Sequence, residues 1–255
     1  MECMSFSHSQ TMVDFWGRLI DWKRRRKAEN GFLEDTLRRF NARRVFDACL
    51  GDGCDSIHLL KNGFEVTSND IDLRFIRKAQ QNAREHNVRL NVTSFDWRKL
   101  DRHFQASQFD AVLCLGNSLT YLFSKKDRLA ALSNFNGLLK DSGVLLIDQR
   151  NYDSILKNPK QMLDSSFAFK NRAVVCGKGV RVHPLRISSH KVTMGYLDLL
   201  TGHSASLDLY PFKNGEMESL LDASGFQVEQ TLFDYSAIRR KDCEFITYVA
   251  RKVAL

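Results

Sequence analysis

Between Arg44 and Asp148 the chain repeats one rhythm: a short apolar strand, a polar or glycine turn, a helix, then another strand. Arg44 to Leu50 is apolar enough for a buried strand, and Gly51-Asp52-Gly53 turns into a helix from about Asp55 to Lys61. Gly63 caps that helix, and Phe64 to Ser68 forms a second strand ending at Asp70. Ile71 to Asn87 puts Phe75, Ile76 and Ala79 on one helical face, ahead of an alternating strand over Leu90 to Phe95. A buried strand over Ala111 to Leu115, a helix over Lys126 to Leu139 and a buried strand over Val144 to Asp148 continue the series. Strands alternating with helices build parallel βαβ units with right-handed crossovers. The expected fold is therefore α/β, a Rossmann-like sheet with helices on both faces.

The flanks differ. Thr11 to Phe40 carries helix-spaced apolar residues, broken near Gly31. From Asn151 to Pro211 short β-rich pieces appear (Arg172 to Val175, Lys191 to Leu200, Ser204 to Leu209) with no helix between them, which predicts an antiparallel cap. The α/β rhythm returns with a helix over Gly215 to Ala223 and strands near Val228 to Asp234 and Phe245 to Arg251. The expected division is an N-terminal helical segment over 1–43 contributing to the site, a Rossmann-like domain over 44–150 and 212–255, and a β-rich substrate cap over 151–211.

Several function classes are disfavoured. No run of eighteen apolar residues suggests a membrane span, and MECMSFSHSQ has no secretory pattern, so a cytoplasmic protein is expected. Cys3, Cys49, Cys54, Cys114, Cys176 and Cys243 form no CxxC pair, and the histidines show no ligand spacing. Reduced thiols and no metal are therefore expected. The net charge of +8 could attract nucleic acid, but the only basic cluster, Lys23 to Lys27, reads as a solvated helix face. A nucleic-acid partner is therefore not expected, and an assembly of identical copies stays open.

Five motifs carry the chemistry. In Asp47-Ala48-Cys49-Leu50-Gly51-Asp52-Gly53 the glycines let backbone approach a ligand at a helix N-terminus. The missing third glycine and the acidic Asp52 disfavour a pyrophosphate and suit a cationic, sulfonium ligand. Asp70, after the second strand, can accept from two ribose hydroxyls, or it or Asp72 can cap the next helix. Asp96-Trp97 can bind an adenine amino group and cover its ring, although Trp97 taken singly reads as core. Strand four opens into Leu115-Gly116-Asn117-Ser118, where open α/β sheets bind ligands, whereas Cys114 reads as packing. Finally Asp148-Gln149-Arg150-Asn151-Tyr152 places an arginine fork at the same edge. Such a fork can clamp a carboxylate, or pair with Asp148 or Asp153.

The stretches RVFDACLGDGCDSI, GFEVTSND, FDAVLCLGNSLTYL and LLIDQRNYDSIL resemble glycine N-methyltransferase and the glycine/sarcosine methyltransferases, a family of class I S-adenosylmethionine-dependent enzymes. The similarity runs from about Trp16 to Leu156 and continues weakly through KVTMGYLDL and SLDLYPF. It implies that Arg26 holds the cofactor's carboxylate and that Trp16, ten residues before it, also belongs to the cofactor site. Cys49, Gly51 and Gly53 would lie under the methionine moiety, Asp70 at the ribose, and Asp96 and Trp97 at the adenine. Leu115, Gly116, Asn117 and Ser118 would line the methyl-transfer cleft. Arg150 would bind the amino-acid carboxylate, and Tyr196 and Tyr210 would face that pocket. The chain departs from the family at Leu19 and Val182, which replace pocket tyrosines, and at Tyr121, which replaces a histidine.

The expected reaction is in-line methyl transfer to a neutral amine of a small amino acid, oriented by Arg150 and Asn117. No motif contains a histidine base, so the amine is expected to lose its proton to water. The alternatives are methylation of a larger small molecule, of RNA or of protein, and a catalytically weak cofactor-binding regulator.

Overall fold

A computed structural model describes residues 8–164, 177, 179–240 and 243–253. Three helices lead in: α1 (Gln10–Leu19), α2 (Trp22–Glu29) and α3 (Phe32–Arg39). The sequence predicts the break near Gly31 but not the one at Ile20, where Asp21 starts α2 by accepting from the Arg24 N–H at 3.0 Å. The basic run is not a solvated face throughout. Arg25 is buried, because carboxylates of Glu29 and Asp55 meet its guanidinium at 2.8 Å each.

The main sheet is built from β1 (Arg44–Asp47), α4 (Cys54–Lys61), β2 (Glu65–Asn69), α5 (Leu73–Glu85), β3 (Asn91–Thr93), β4 (Phe109–Cys114), α6 (Lys125–Leu138) and β5 (Leu139–Arg150). Two short helices, α7 (Tyr152–Lys157) and α8 (Pro159–Leu163), lead to a three-stranded antiparallel sheet of β6 (Val180–Ile187), β7 (Val192–Asp198) and β8 (Ser204–Leu209). The chain returns through α9 (Glu216–Ala223), β9 (Phe226–Phe233) and β10 (Phe245–Lys252). Segment 151–211 is thus not β-rich throughout, since Asn151 caps α7 and Pro159 opens α8. Val180–Ile187 is a strand that the sequence pattern does not predict, whereas Arg172 to Val175 lies outside the described residues.

The seven strands run in the order β3-β2-β1-β4-β5-β10-β9. The first five are parallel, and β10 inserts antiparallel between β5 and β9. Side chains alternate between faces along each strand, and the core divides accordingly. Phe46, Val112, Leu145 and Ile147 pack in one cluster with Phe15 of α1 and Phe135 of α6. Val45, Ala111, Leu113, Val144 and Leu146 pack in the other with Leu33 and Leu37 of α3. Helices therefore cover both faces of a Rossmann-like sheet. Its strand order reverses between β1 and β4, which opens a crevice at their carboxyl ends.

The small sheet is tied to this edge. Arg18 of α1 pairs with the buried Asp198 at the end of β7, and the Tyr210 N–H donates to the Thr120 carbonyl at 2.8 Å. Cys49, Cys54, Cys114 and Cys243 are free thiols, while Cys3 and Cys176 lie outside the described residues. Among the described residues no helix is long and apolar enough to cross a membrane, and no cluster of potential metal ligands occurs.

Candidate active site

A cleft open to solvent occupies the crevice at the carboxyl ends of β1 and β4. Its floor is the turn after β1. Gly53 has φ +91°, and a Cβ there would meet Ile57 Cδ1 at 3.0 Å and Ala79 Cβ at 3.2 Å. Only glycine lets α4 and α5 approach so closely. Gly53 itself does not face the cleft, whereas Cys49, Leu50, Gly51 and Asp52 do.

Asp70 stands across from this turn. One of its oxygens accepts the Gly51 N–H and the other the Asp72 N–H, both at 2.9 Å. Asp72 caps α5, accepting from the Arg74 N–H, so Asp70 is not the cap. Burial pushes the Asp70 carboxyl up to about 6, partly offset by those two backbone donors. Asp52 is also raised to about 6 by burial, against the stabilising Trp22 indole N–H at 2.9 Å. Asp148, near the end of β5, reaches about 6 for the same reason. Desolvated carboxyls of this kind favour a cationic ligand over an anionic one.

At the third strand Asp96 and Trp97 both line the cleft. Arg98 binds both oxygens of Asp96, and this partner holds the carboxyl below its ordinary range despite partial burial. Trp97 is half-buried and serves both as cleft wall and as packing: its ring lies 5.8 Å from that of Phe135 in the core, and its indole N–H donates to the Ala48 carbonyl at 2.7 Å. That bond fixes the ring plane beside the glycine turn.

After β4 the backbone turns through Gly116 (φ +75°) and Asn117 (φ +66°), both left-handed. The Asp148 carboxylate accepts the Asn117 N–H at 2.6 Å. The Asn117 amide is itself a brace: its oxygen accepts the Arg150 N–H and its nitrogen donates to the Tyr152 hydroxyl, both at 2.9 Å. It thus clamps the ends of β4 and β5 beside the cleft that it lines. Ser118 and Leu115 line it too, joined by a 2.7 Å bond from the Ser118 hydroxyl to the Leu115 carbonyl.

Arg150 ends β5, buried, and faces the same cleft. Its partner is neither Asp148 nor Asp153. Register pairs Arg150 with Phe245 of β10, which brings the neighbouring Glu244 carboxylate to 2.8 Å of one guanidinium nitrogen. The guanidinium lies 4.9 Å from the Phe245 ring centre. Tyr196 of β7 closes the opposite wall.

Besides Gly53, two further expected site residues stand elsewhere. Arg26 does not line the cleft; it binds Glu29 and Asp55, while Arg25 reaches the wall. Consecutive helical residues point about 100° apart, so α2 can present only one of the two. Tyr210 is also outside, because its hydroxyl donates to Glu216 at 2.8 Å and its ring lies 3.8 Å from the Arg128 guanidinium carbon. Of the departures from the family pattern, Leu19 and Tyr121 line the cleft and Val182 does not. His8 is a wall residue that no motif signals, and Phe75 shows only as a helix-face apolar position.

The residues present fit a sulfonium nucleoside cofactor: a half-buried carboxylate with two backbone donors, an indole wall, acidic surroundings and a glycine turn. Ribose hydroxyls placed at Asp70 would bind its ionised form best, so cofactor binding there is expected to release protons near pH 6 and to release fewer at pH 8. Calorimetry in buffers of differing ionisation enthalpy measures this, and a buffer-independent enthalpy at pH 6 contradicts it.

A family model described as a methyltransferase domain matches residues 45–143. A glycine/sarcosine N-methyltransferase of Halorhodospira halochloris is 37% identical over 94% of this chain and 87% of its own length. One from Aphanothece halophytica is 36% identical over 94% and 88%. Among solved structures, an S-adenosylmethionine-dependent methyltransferase from Clostridium acetobutylicum superposes with a TM-score of 0.70 at 17% identity, over 89% of this chain and 92% of its own. That likeness shows the same class I fold. The sheet, the cleft and the relatives agree: the chain belongs to the glycine/sarcosine N-methyltransferase family.

Proposed function

We propose that this cleft transfers a methyl group from S-adenosylmethionine to the amine of a small amino acid, glycine or sarcosine being the first candidates. The observation that carries this reading is Arg150, a buried guanidinium facing the cleft at the end of β5, braced through its backbone by Asn117. A buried arginine fork suits a carboxylate, which a free amino acid carries beside its amine. The acceptor in this reading is a small molecule. Equal turnover of glycine and glycinamide would contradict the carboxylate clamp; a strong preference for glycine supports it.

The cofactor supplies an electrophilic methyl when bound. Asp70 would hold the ribose, Trp97 and Asp96 would border the adenine, and Cys49 and Gly51 would face the methionine portion. Arg25 takes the role at its carboxylate that the family pattern gives to Arg26. Trp16, Leu115 and Gly116 complete the walls, and Ser118 fixes the turn. Arg150 and Tyr196 orient the acceptor, with Leu19 and Phe245 as apolar neighbours. Positioning of this kind is worth effective molarities of about 10⁵ M or more.

The proton leaves to water. His8 is the histidine on the cleft wall among the described residues, and burial pushes its imidazole down to about 4. So weak a base cannot take the proton of an alkylammonium titrating near about 10. Below saturation the rate is expected to climb with pH and level off only above about pH 8.5. With two acceptors of different amine pKa the inflection moves with the acceptor. An inflection that stays fixed places the proton on an enzyme group instead.

A further inference from the structure

His8 enters the cleft from the segment before α1, and its ring is wedged edge-on against three others. The centroids of Trp16, Phe75 and Tyr121 lie 5.4, 5.0 and 5.4 Å from it. Arg74 holds the segment in place by donating to the His8 carbonyl at 2.7 Å. An apolar side chain would fill this aromatic niche without the desolvation cost of an imidazole. The histidine does one thing such a residue cannot: its Nε2 lies 3.1 Å from the Tyr121 hydroxyl.

Tyr121 occupies a central place. It lines the cleft within electrostatic range of Asp70 and Cys49 on the cofactor side and of Tyr196 and Tyr152 on the acceptor side. A phenol joined to its ring by one rotatable bond can point its proton either way, and burial keeps it un-ionised. The contact with His8 Nε2 is one that orients the hydroxyl, whichever of the two atoms donates.

We infer that His8 is a positioning residue for methyl transfer, acting through Nε2 to fix the Tyr121 hydroxyl at the junction of the cofactor and acceptor sites. The inference rests on the methyltransferase reading of the cleft. Its effect falls on the chemical step, because a misdirected hydroxyl disturbs the alignment of the reactants more than the burial of either one.

The test uses the full chain with S-adenosylmethionine and whichever amino acid the unmutated protein methylates. His8→Ala is expected to lower kcat about tenfold while the cofactor Kd changes less than about twofold. His8→Gln, whose amide nitrogen reaches the place of Nε2, restores kcat to within about threefold of the unmutated value. In a Tyr121→Phe background His8→Ala has no further effect on kcat. Independently of activity, the ¹H–¹⁵N signals of the His8 ring in the free protein shift on Tyr121→Phe. The inference is overturned if His8→Ala costs the same with and without the tyrosine hydroxyl, or if the ring signals stay unchanged. It is equally overturned if His8→Gln is as impaired as His8→Ala. If the unmutated protein methylates no amino acid, the reading of the cleft fails instead, and the ring signals still decide whether the His8–Tyr121 bond exists.

Discussion

Arg150→Lys is expected to lower kcat/KM for an amino-acid acceptor by about 10–150-fold, with cofactor affinity nearly unchanged. Hydrogen bonds to charged groups contribute about 1.5–3 kcal/mol each, and a lysine cannot reproduce two parallel N–H donors. Lysine is the informative substitution because it keeps a cation beside the buried Glu244 carboxylate. Alanine would strand that carboxylate, at a cost of about 3–5 kcal/mol in stability. Steady-state kinetics alongside cofactor calorimetry separates the two sites. A variant that loses cofactor binding as much as turnover removes Arg150 from the acceptor end of the cleft.

Asp70→Ala is expected to raise the cofactor Kd by roughly 100-fold or more. On the proposed reading it deletes a carboxylate that would accept from two ribose hydroxyls, each bond to a charged group being worth about 1.5–3 kcal/mol. Part of any loss comes from the Gly51 and Asp72 N–H groups that Asp70 now satisfies. Asp70→Asn isolates that part, since its amide oxygen still accepts one of them without the charge. Calorimetry on both folded variants checks this. Unchanged affinity in both would take Asp70 out of the ribose site.

The central parallel strands β1, β4 and β5 were legible because they are buried on both faces and read as apolar runs, as in Val144 to Ile147. β6 was not. Arg181, His183, Pro184 and Arg186 hide an alternation in which Val180, Val182 and Pro184 point inward, and the pairing register shifts between Pro184 and Arg186. A proline at such an irregularity keeps a strand possible while erasing its signal. The burial of Arg25 was equally invisible, because a paired buried arginine and a solvated one look alike in hydrophobic patterning.

In the site, strand-end motifs were enough to bring Gly51, Asp70, Trp97, Asn117 and Arg150 to one cleft. Parallel strands deliver the turns at their carboxyl ends to one crevice, so position along the chain translates directly into position in space. The helical wall has no such rule. Choosing Arg25 over Arg26 needs the phase of α2, and His8 reaches the cleft from a segment held by Arg74 and by the surrounding rings. Tyr210 shows the converse: its place beside the acceptor wall was implied, but Arg128 and Glu216 draw it away.

The most direct test of the proposed activity is S-adenosylhomocysteine formation by the full chain with glycine, sarcosine, glycinamide and an unstructured RNA offered separately. Product with glycine or sarcosine, and little with glycinamide or RNA, is the predicted result. Product with RNA and none with either amino acid would contradict the account.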